Sequence, residues 1–332
     1  MSHRKDTDYL AISTRIRAME TRMLTRERME RMIDAKDTID ALKVLEECGY
    51  GELSQVSAHG LEPLLAQARS AVFQDICTAV PCVELVETFQ LKYDYHNAKV
   101  LVKAGAVGGD VARLLVSGGR YDPRELAEGW EREEMNFCTD AYRQALAQAK
   151  EALADSADPQ QADLLLDQAC YEEMSRLAQK SGSKFLQGYV RLSIDVANLR
   201  TAVRCARMDK DTEFLNRVLL PGGNVSERTI AQTKREALKD VFQGELLAQA
   251  AALGSQLAHP GGGSLTEFEC LCDNALTDYL SGAKMIPFGE QPVVAYLYAK
   301  EAELTAVRTI MSGRMAGLDA DTIRSRLRAV YV

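Results

Sequence analysis

Residues capable of bond-making chemistry are sparse in this chain and do not gather into a recognisable set. His96, inside Tyr93-Asp94-Tyr95-His96-Asn97, is the best candidate for a proton-transfer group, because an adjacent carboxylate can raise an imidazole's basicity. The positions that match it in the repeats described below carry Ala197 and Thr305, and a helix histidine that merely packs is the simpler reading. His3, His59, His96 and His259 lie apart from the eight cysteines at 48, 77, 82, 138, 170, 205, 270 and 272. The nearest thiol pairs, Cys77 with Cys82 and Cys270 with Cys272, miss the C-x-x-C spacing that wraps a tetrahedral zinc. Neither a metal site nor a disulfide framework is expected. Ser181-Gly182-Ser183-Lys184 lacks the first glycine of a phosphate loop and the hydroxyl after its lysine, so direct nucleotide binding is not expected either. With no nucleophile elbow, zinc-protease helix or dinucleotide fingerprint, the expectation is no catalytic residue and no cofactor.

A different set of polar residues recurs at regular spacing. Asp94, Asn97 and Lys99, then Asp195, Asn198 and Arg200, then Glu303, Ala306 and Arg308 share the form acid-x-x-small-x-base, with the acids 101 and 108 positions apart. Each set lies on a helical pattern. Phe185, Tyr189, Leu192, Val196, Leu199 and Val203 step by fours and threes along one buried face. The same face returns as Val293, Leu297, Lys300, Leu304, Val307 and Met311. The acids and bases either line a surface that meets a partner or form ion pairs that pin each helix to its neighbour, as partly buried charges require. A weaker fourth copy opens the chain, with Arg15 and Arg17 beside the stripe Ile12, Ile16, Met19 and Met23.

The segments after these helices also recur: Leu24-Thr25 with Met29, Tyr121-Asp122 with Leu126, Val225-Ser226 with Ile230, and Leu318-Asp319 with Ile323. Each places an apolar residue, a cap and a second apolar residue so as to form a hydrophobic staple at a helix start. Asp122-Pro123-Arg124-Glu125 adds proline and glutamate at favoured first-turn positions. Gly118-Gly119 and Gly222-Gly223 occupy matching places, where a positive φ or a close backbone approach is expected. Further helical stretches are expected near 53–80, 130–181 and 228–257. His259-Pro260-Gly261-Gly262-Gly263 breaks the last, and Ser264-Leu265-Thr266-Glu267 reads as a capping box that restarts it.

With 332 residues, 6% aromatics, 8 prolines and abundant Ala, Leu, Arg, Glu and Gln, the chain is expected to be all-α and larger than one small domain. Forty basic against 48 acidic side chains give a net charge of −8, which disfavours nucleic acid as a partner. No apolar run reaches the ~18 residues of a membrane span, and no h-region follows the N-terminal charges. The repeat implies four blocks: 1–83 as a first helical subdomain, 84–183 as a second, 184–286 as a third, and 287–332 as a C-terminal hairpin that completes the first. Three units then close into a ring or cone.

The segments Tyr9 to Tyr50, KYDYHNAKVLVK from Lys92 to Lys103, DVANLRTAVR from Asp195 to Arg204, and the tail from Pro287 to Val332 carry a resemblance that runs nearly end to end. In this order and spacing the chain resembles the central-stalk subunit of A/V-type rotary ATPases, called C in archaeal and bacterial enzymes and d in vacuolar ones. That resemblance implies a funnel of three related subdomains in pseudo-threefold arrangement. It implies a cytoplasmic, non-catalytic rotor part, held at the membrane through the proteolipid rotor ring and receiving the central shaft subunits in its cavity. Such a part transmits torque for ATP-coupled proton or sodium transport. Arg191, Arg200, Arg204 and Arg308 are the residues expected to face or border the cavity and meet the shaft or ring. The alternative is a generic α-solenoid interaction scaffold with open ends.

Overall fold

A computed structural model describes residues 5–51, 58–107, 111–244 and 246–332, and every regular element among them is helical. In chain order these are α1 (Leu10–Glu20), α2 (Arg26–Ile33), α3 (Thr38–Glu47), α4 (Ala58–Ala79), α5 (Glu84–Val107), α6 (Pro123–Arg132), α7 (Asp140–Ser156) and α8 (Pro159–Ser181). There follow α9 (Lys184–Arg207), α10 (Thr212–Val218), α11 (Glu227–Gln232), α12 (Leu238–Val241), α13 (Ala248–Leu257), α14 (Thr266–Ser281), α15 (Glu290–Met315) and α16 (Ala320–Arg326).

Helix starts follow local chemistry. Thr25, Asp122, Ser226 and Asp319, the four caps expected from the staple pattern, each accept a backbone N–H from the first turn of α2, α6, α11 and α16. Pro123 occupies the first turn of α6, where its missing N–H costs nothing. The expected stretch over 130–181 is interrupted. Glu133 and Ala157 take left-handed φ values of 57° and 54°, and each ends a helix by turning its own N–H back onto the preceding turn. The stretch over 228–257 is likewise divided into α11, a 3₁₀ turn at Arg235–Ala237, α12 and α13. Residues 53–57 of the first stretch lie outside the described residues. The capping box before α14 does not form as expected: Leu265 flanks the helix, and the Ser264 hydroxyl accepts the Thr266 N–H at 3.2 Å and bonds the Thr266 hydroxyl at 2.9 Å.

Packing of α5, α9 and α15 organises the molecule. Their N-terminal turns share one core: Leu85, Val86 and Phe89 meet Leu186, Tyr189 and Val190, together with Val293, Val294 and Leu297. Ile12 and Ile16 of α1 complete it. Further along, the helices enter different surroundings. Leu91, Leu101 and Val102 of α5 pack with Leu126, Tyr142 and Leu166 from α6, α7 and α8. Leu304, Val307 and Ile310 of α15 pack with Met29, Leu45 and Leu65 from α2, α3 and α4, and with Ile323 of α16. The C-terminal part of α9 stays with α11 to α14. Each such side chain contributes about 1.5–3 kcal/mol on burial, so the cores rather than helix propensity hold the three helices at their angles.

Candidate functional site

The repeated polar residues form a clamp on the backbone that passes each central helix. In α5, Asp94 accepts the Arg120 backbone N–H at 2.8 Å and the Arg120 Nε at 2.6 Å. In α9, Asp195 accepts the backbone N–H of Asn224 and of Val225, each at 3.1 Å, and the Asn224 side-chain amide at 2.7 Å. In α15, Glu303 accepts the Leu24 N–H at 2.6 Å, with Tyr50 Oη and Lys300 Nζ on its other oxygen. The three acids therefore hold the backbone within one or two positions of a staple: Tyr121-Asp122, Val225-Ser226 and Leu24-Thr25. The third staple comes from the opposite end of the chain.

Asparagine repeats as closely. Asn97 gives its amide N–H to the Val116 carbonyl and accepts the Val116 N–H, at 2.9 and 2.8 Å. Asn198 does the same with Leu220, at 2.8 Å in both directions. Both expected roles of the glycine pairs occur. Gly118 and Gly222 have φ of 107° and 93°, while a Cβ on Gly119 or Gly223 would stand 2.2 or 2.3 Å from the clamping carboxylate. The close approach of loop and acid requires glycine there.

Bases one turn further on tie each central helix to the last helix of a bundle. Lys99 pairs with Asp167 of α8 at 2.7 Å, Arg200 with Asp273 of α14 at 2.7 Å, and Arg308 with Glu62 of α4 at 2.5 Å. Arg200 and Arg204 also share Glu269. Of the two readings open at the level of sequence, ion pairing is the one these contacts carry. Burial raises the Asp195 pKa against its donors and pushes Asp94 up to about 6 against Arg120. Burial also works against the charge of Arg120, yet Asp94 and Glu173 outweigh it and hold that guanidinium above its ordinary value.

A cavity of about 320 Å³ lies beside α15, walled by parts of α5, α8, α9 and α14 and by the tail 326–332. Met23, Met29 and Met174 are among its apolar residues. Its charged residues are Lys92, Asp273, Glu301, Glu303, Arg326 and Arg328. Arg191, Arg200, Arg204 and Arg308 are not among the lining residues: Arg191 is exposed, and the other three are engaged in the pairs above. Sequence reasoning passed over Lys92 and Glu301, although both stand two residues before a clamping acid. Tyr93 Oη donates to Glu301 Oε2 at 2.5 Å, and Lys92 reaches the same oxygen.

His96 is exposed, and Asp94 is committed to Arg120 rather than to the imidazole. The surrounding protein first, then the charges of Lys99, Lys103 and Arg69, lower the His96 pKa, the opposite of what a base needs. Among the described residues no cluster suits a metal ion, no helix is long and apolar enough to cross a membrane, and no disulfide joins any of the eight cysteines.

Residues 12–326 match the model of the ATP synthase (C/AC39) subunit family. The chain belongs to that family. It is 26% identical to the C subunit of the V-type sodium ATPase of Enterococcus hirae over 326 residues, covering 98% of this chain and 99% of the relative. It is 27% identical to the C subunit of the A-type ATP synthase of Haloferax volcanii over 258 residues, covering 74% and 73%. It is 24% identical to the corresponding A-type ATP synthase component of Pyrococcus abyssi, covering 92% and 86%. As a member of the C/AC39 family the chain is a component of a rotary ATPase and works with other subunits of that complex.

Proposed function

We propose that this chain is the non-catalytic rotor component that joins the central shaft to the proteolipid ring and carries torque between them during ATP-coupled ion transport. The observation that carries the reading is the convergence of α5, α9 and α15 in one core at their N-termini and their separation into different cores beyond it. That convergence supports a funnel, with the space between the three helices narrowing toward their N-terminal ends. The equivalent clamps support three related units: 84–183, 184–286, and 1–83 completed by 287–332. The third is closed by Glu303 on Leu24.

The narrow end suits the ring. Val83 and Met285 lie just before α5 and α15, and Leu10 begins α1; all three are exposed, Met285 at 90%. A ring seated at that end would cover these apolar side chains. The wide end and cavity suit the shaft, and close-packed helices resist the twist that transmission imposes. We assign the partly exposed cations Arg191, Arg200, Arg204 and Arg308 to the border of the shaft interface. A tagged chain expressed in its native cell should co-purify with ring, shaft and catalytic subunits; recovery without them refutes the assignment.

A further inference from the structure

Clamping acids give the three central helices a common register, and two residues before each lie Lys92, Ser193 and Glu301. The three equivalent positions thus carry a basic, a neutral and an acidic side chain. Ser193 is buried, and its hydroxyl bonds back to the Tyr189 carbonyl at 2.9 Å. Lys92 and Glu301 both line the cavity. The Lys92 side chain is 50% exposed. Glu301 is 9% exposed, and while its Oε2 receives Tyr93 and Lys92, its Oε1 has no hydrogen-bond partner among the described residues. The other carboxylates of the wall are occupied: Asp273 by Arg200 and Arg328, Glu303 by Leu24, Tyr50 and Lys300.

A carboxylate oxygen withdrawn from water without a donor is costly, and a donor brought by a partner relieves that cost. Apolar and methionine-rich walls adapt to an inserted surface but do not distinguish one angular setting from another. A socket of three similar units accepts a shaft in three settings unless something breaks the equivalence. Resting on the function proposed above, we propose that Lys92 and Glu301 form a polarised key that fixes the shaft's angular register. The partner surface is the part of the shaft that meets this cavity, and it brings a basic side chain to Glu301 and an acidic one to Lys92.

The test is a charge swap, Lys92→Glu with Glu301→Lys, made in the full-length chain. It keeps an ion pair between α5 and α15 while reversing the polarity seen from the cavity. Binding to purified shaft subunits from the same cells is measured alongside the melting midpoint. The expected result is an unchanged midpoint within a few degrees and affinity weaker by at least about thirtyfold, the range for reversed interface charges. Affinity equal to that of the unaltered chain overturns the key and leaves the pair as a brace between two helices. Should the swap not fold, Glu301→Gln, which keeps the shape and an acceptor for Tyr93, decides the matter. A loss of tenfold or more in it supports the key, and a smaller change overturns it. If the unaltered chain itself does not bind the shaft subunits, the proposed function falls, and the key falls with it.

Discussion

Removing the Glu303 carboxylate should release the N-terminal bundle from α15 while the rest of the molecule stays folded. The Leu24 N–H it accepts belongs to a residue 2% exposed, and the Lys300 side chain beside it is 13% exposed. In Glu303→Ala the N–H, the Tyr50 hydroxyl and the ammonium all lose their acceptor. Breaking a buried ionic contact of this kind costs about 3–5 kcal/mol. A second contact separates this clamp from the others. Where α9 has Asn198, bonded both ways to Leu220, α15 has Ala306, so the third clamp has no asparagine beside its acid. The equivalent Asp195→Ala should therefore loosen its loop without setting it free. Hydrogen exchange over Arg26–Ile33 is the assay: at about 1.4 kcal/mol per decade, Glu303→Ala should accelerate exchange there about a hundredfold or more, with the overall helical signal intact. A change below tenfold, or equal loosening of Glu227–Gln232 in Asp195→Ala, would refute the reasoning.

Asn198→Ala strands a buried N–H and C=O of Leu220 and should cost about 2–4 kcal/mol, more than Asn97→Ala, whose partner Val116 is only half-buried; urea midpoints at constant slope test the order. Gly223→Ala should destabilise more than Gly222→Ala: the first drives a Cβ to 2.3 Å from Asp195 Oδ1, the second meets Ile194 at 3.6 Å and adds only the strain of φ 93°, about 1 kcal/mol. The two midpoints should differ accordingly. Arg324 first, by hydrogen bonding, holds the Glu30 carboxyl below its ordinary 4.5. A carboxylate with a depressed folded pKa stabilises above its unfolded value and loses that contribution as pH falls through the folded one, so α16 should become protease-sensitive below about pH 4.5. In Glu30→Gln that acid-dependent onset should disappear. Burial pushes the Cys138 and Cys272 thiols up to about 12, so at pH 8 maleimide should label half-buried Cys77 and Cys270 ahead of these two. Peptide mass spectrometry reads the order.

Reading the sequence alone reached the helical class and the four capped starts because both are written in short-range chemistry. A cap, an apolar residue and a second apolar residue lie within one turn, and nothing distant can easily override them. The register of Asp94, Asp195 and Glu303 was legible for the same reason, and so was the doubled role of the glycine pairs. Which backbone each acid holds was not, since a carboxylate pattern on a helix says nothing of what lies across from it. The glycines were the available signal: a residue without a Cβ beside a turn marks where something approaches closely, and that something is the acid. Helix interruptions at Glu133 and Ala157 escaped because neither is glycine or asparagine, so left-handed geometry there is set by packing rather than by residue type.

Lys99, Arg200 and Arg308 were noticed because they repeat, whereas Lys92 and Glu301 were missed because they do not. Repetition along the chain identifies what each of the three central helices does for itself: clamp a loop, bond a neighbouring helix, pack a core. A property the whole assembly needs only once cannot repeat, and the angular register proposed above would be such a property. A pseudo-symmetric socket made of three identical linings would hold a shaft yet allow it three settings. The informative positions in such a chain are those where equivalence is broken within a common register, and Lys92, Ser193 and Glu301 differ in charge at one such level of the helices. Buried charge with an unfilled oxygen is costly to keep in a free subunit, which is the reason to look for its partner in the assembled machine.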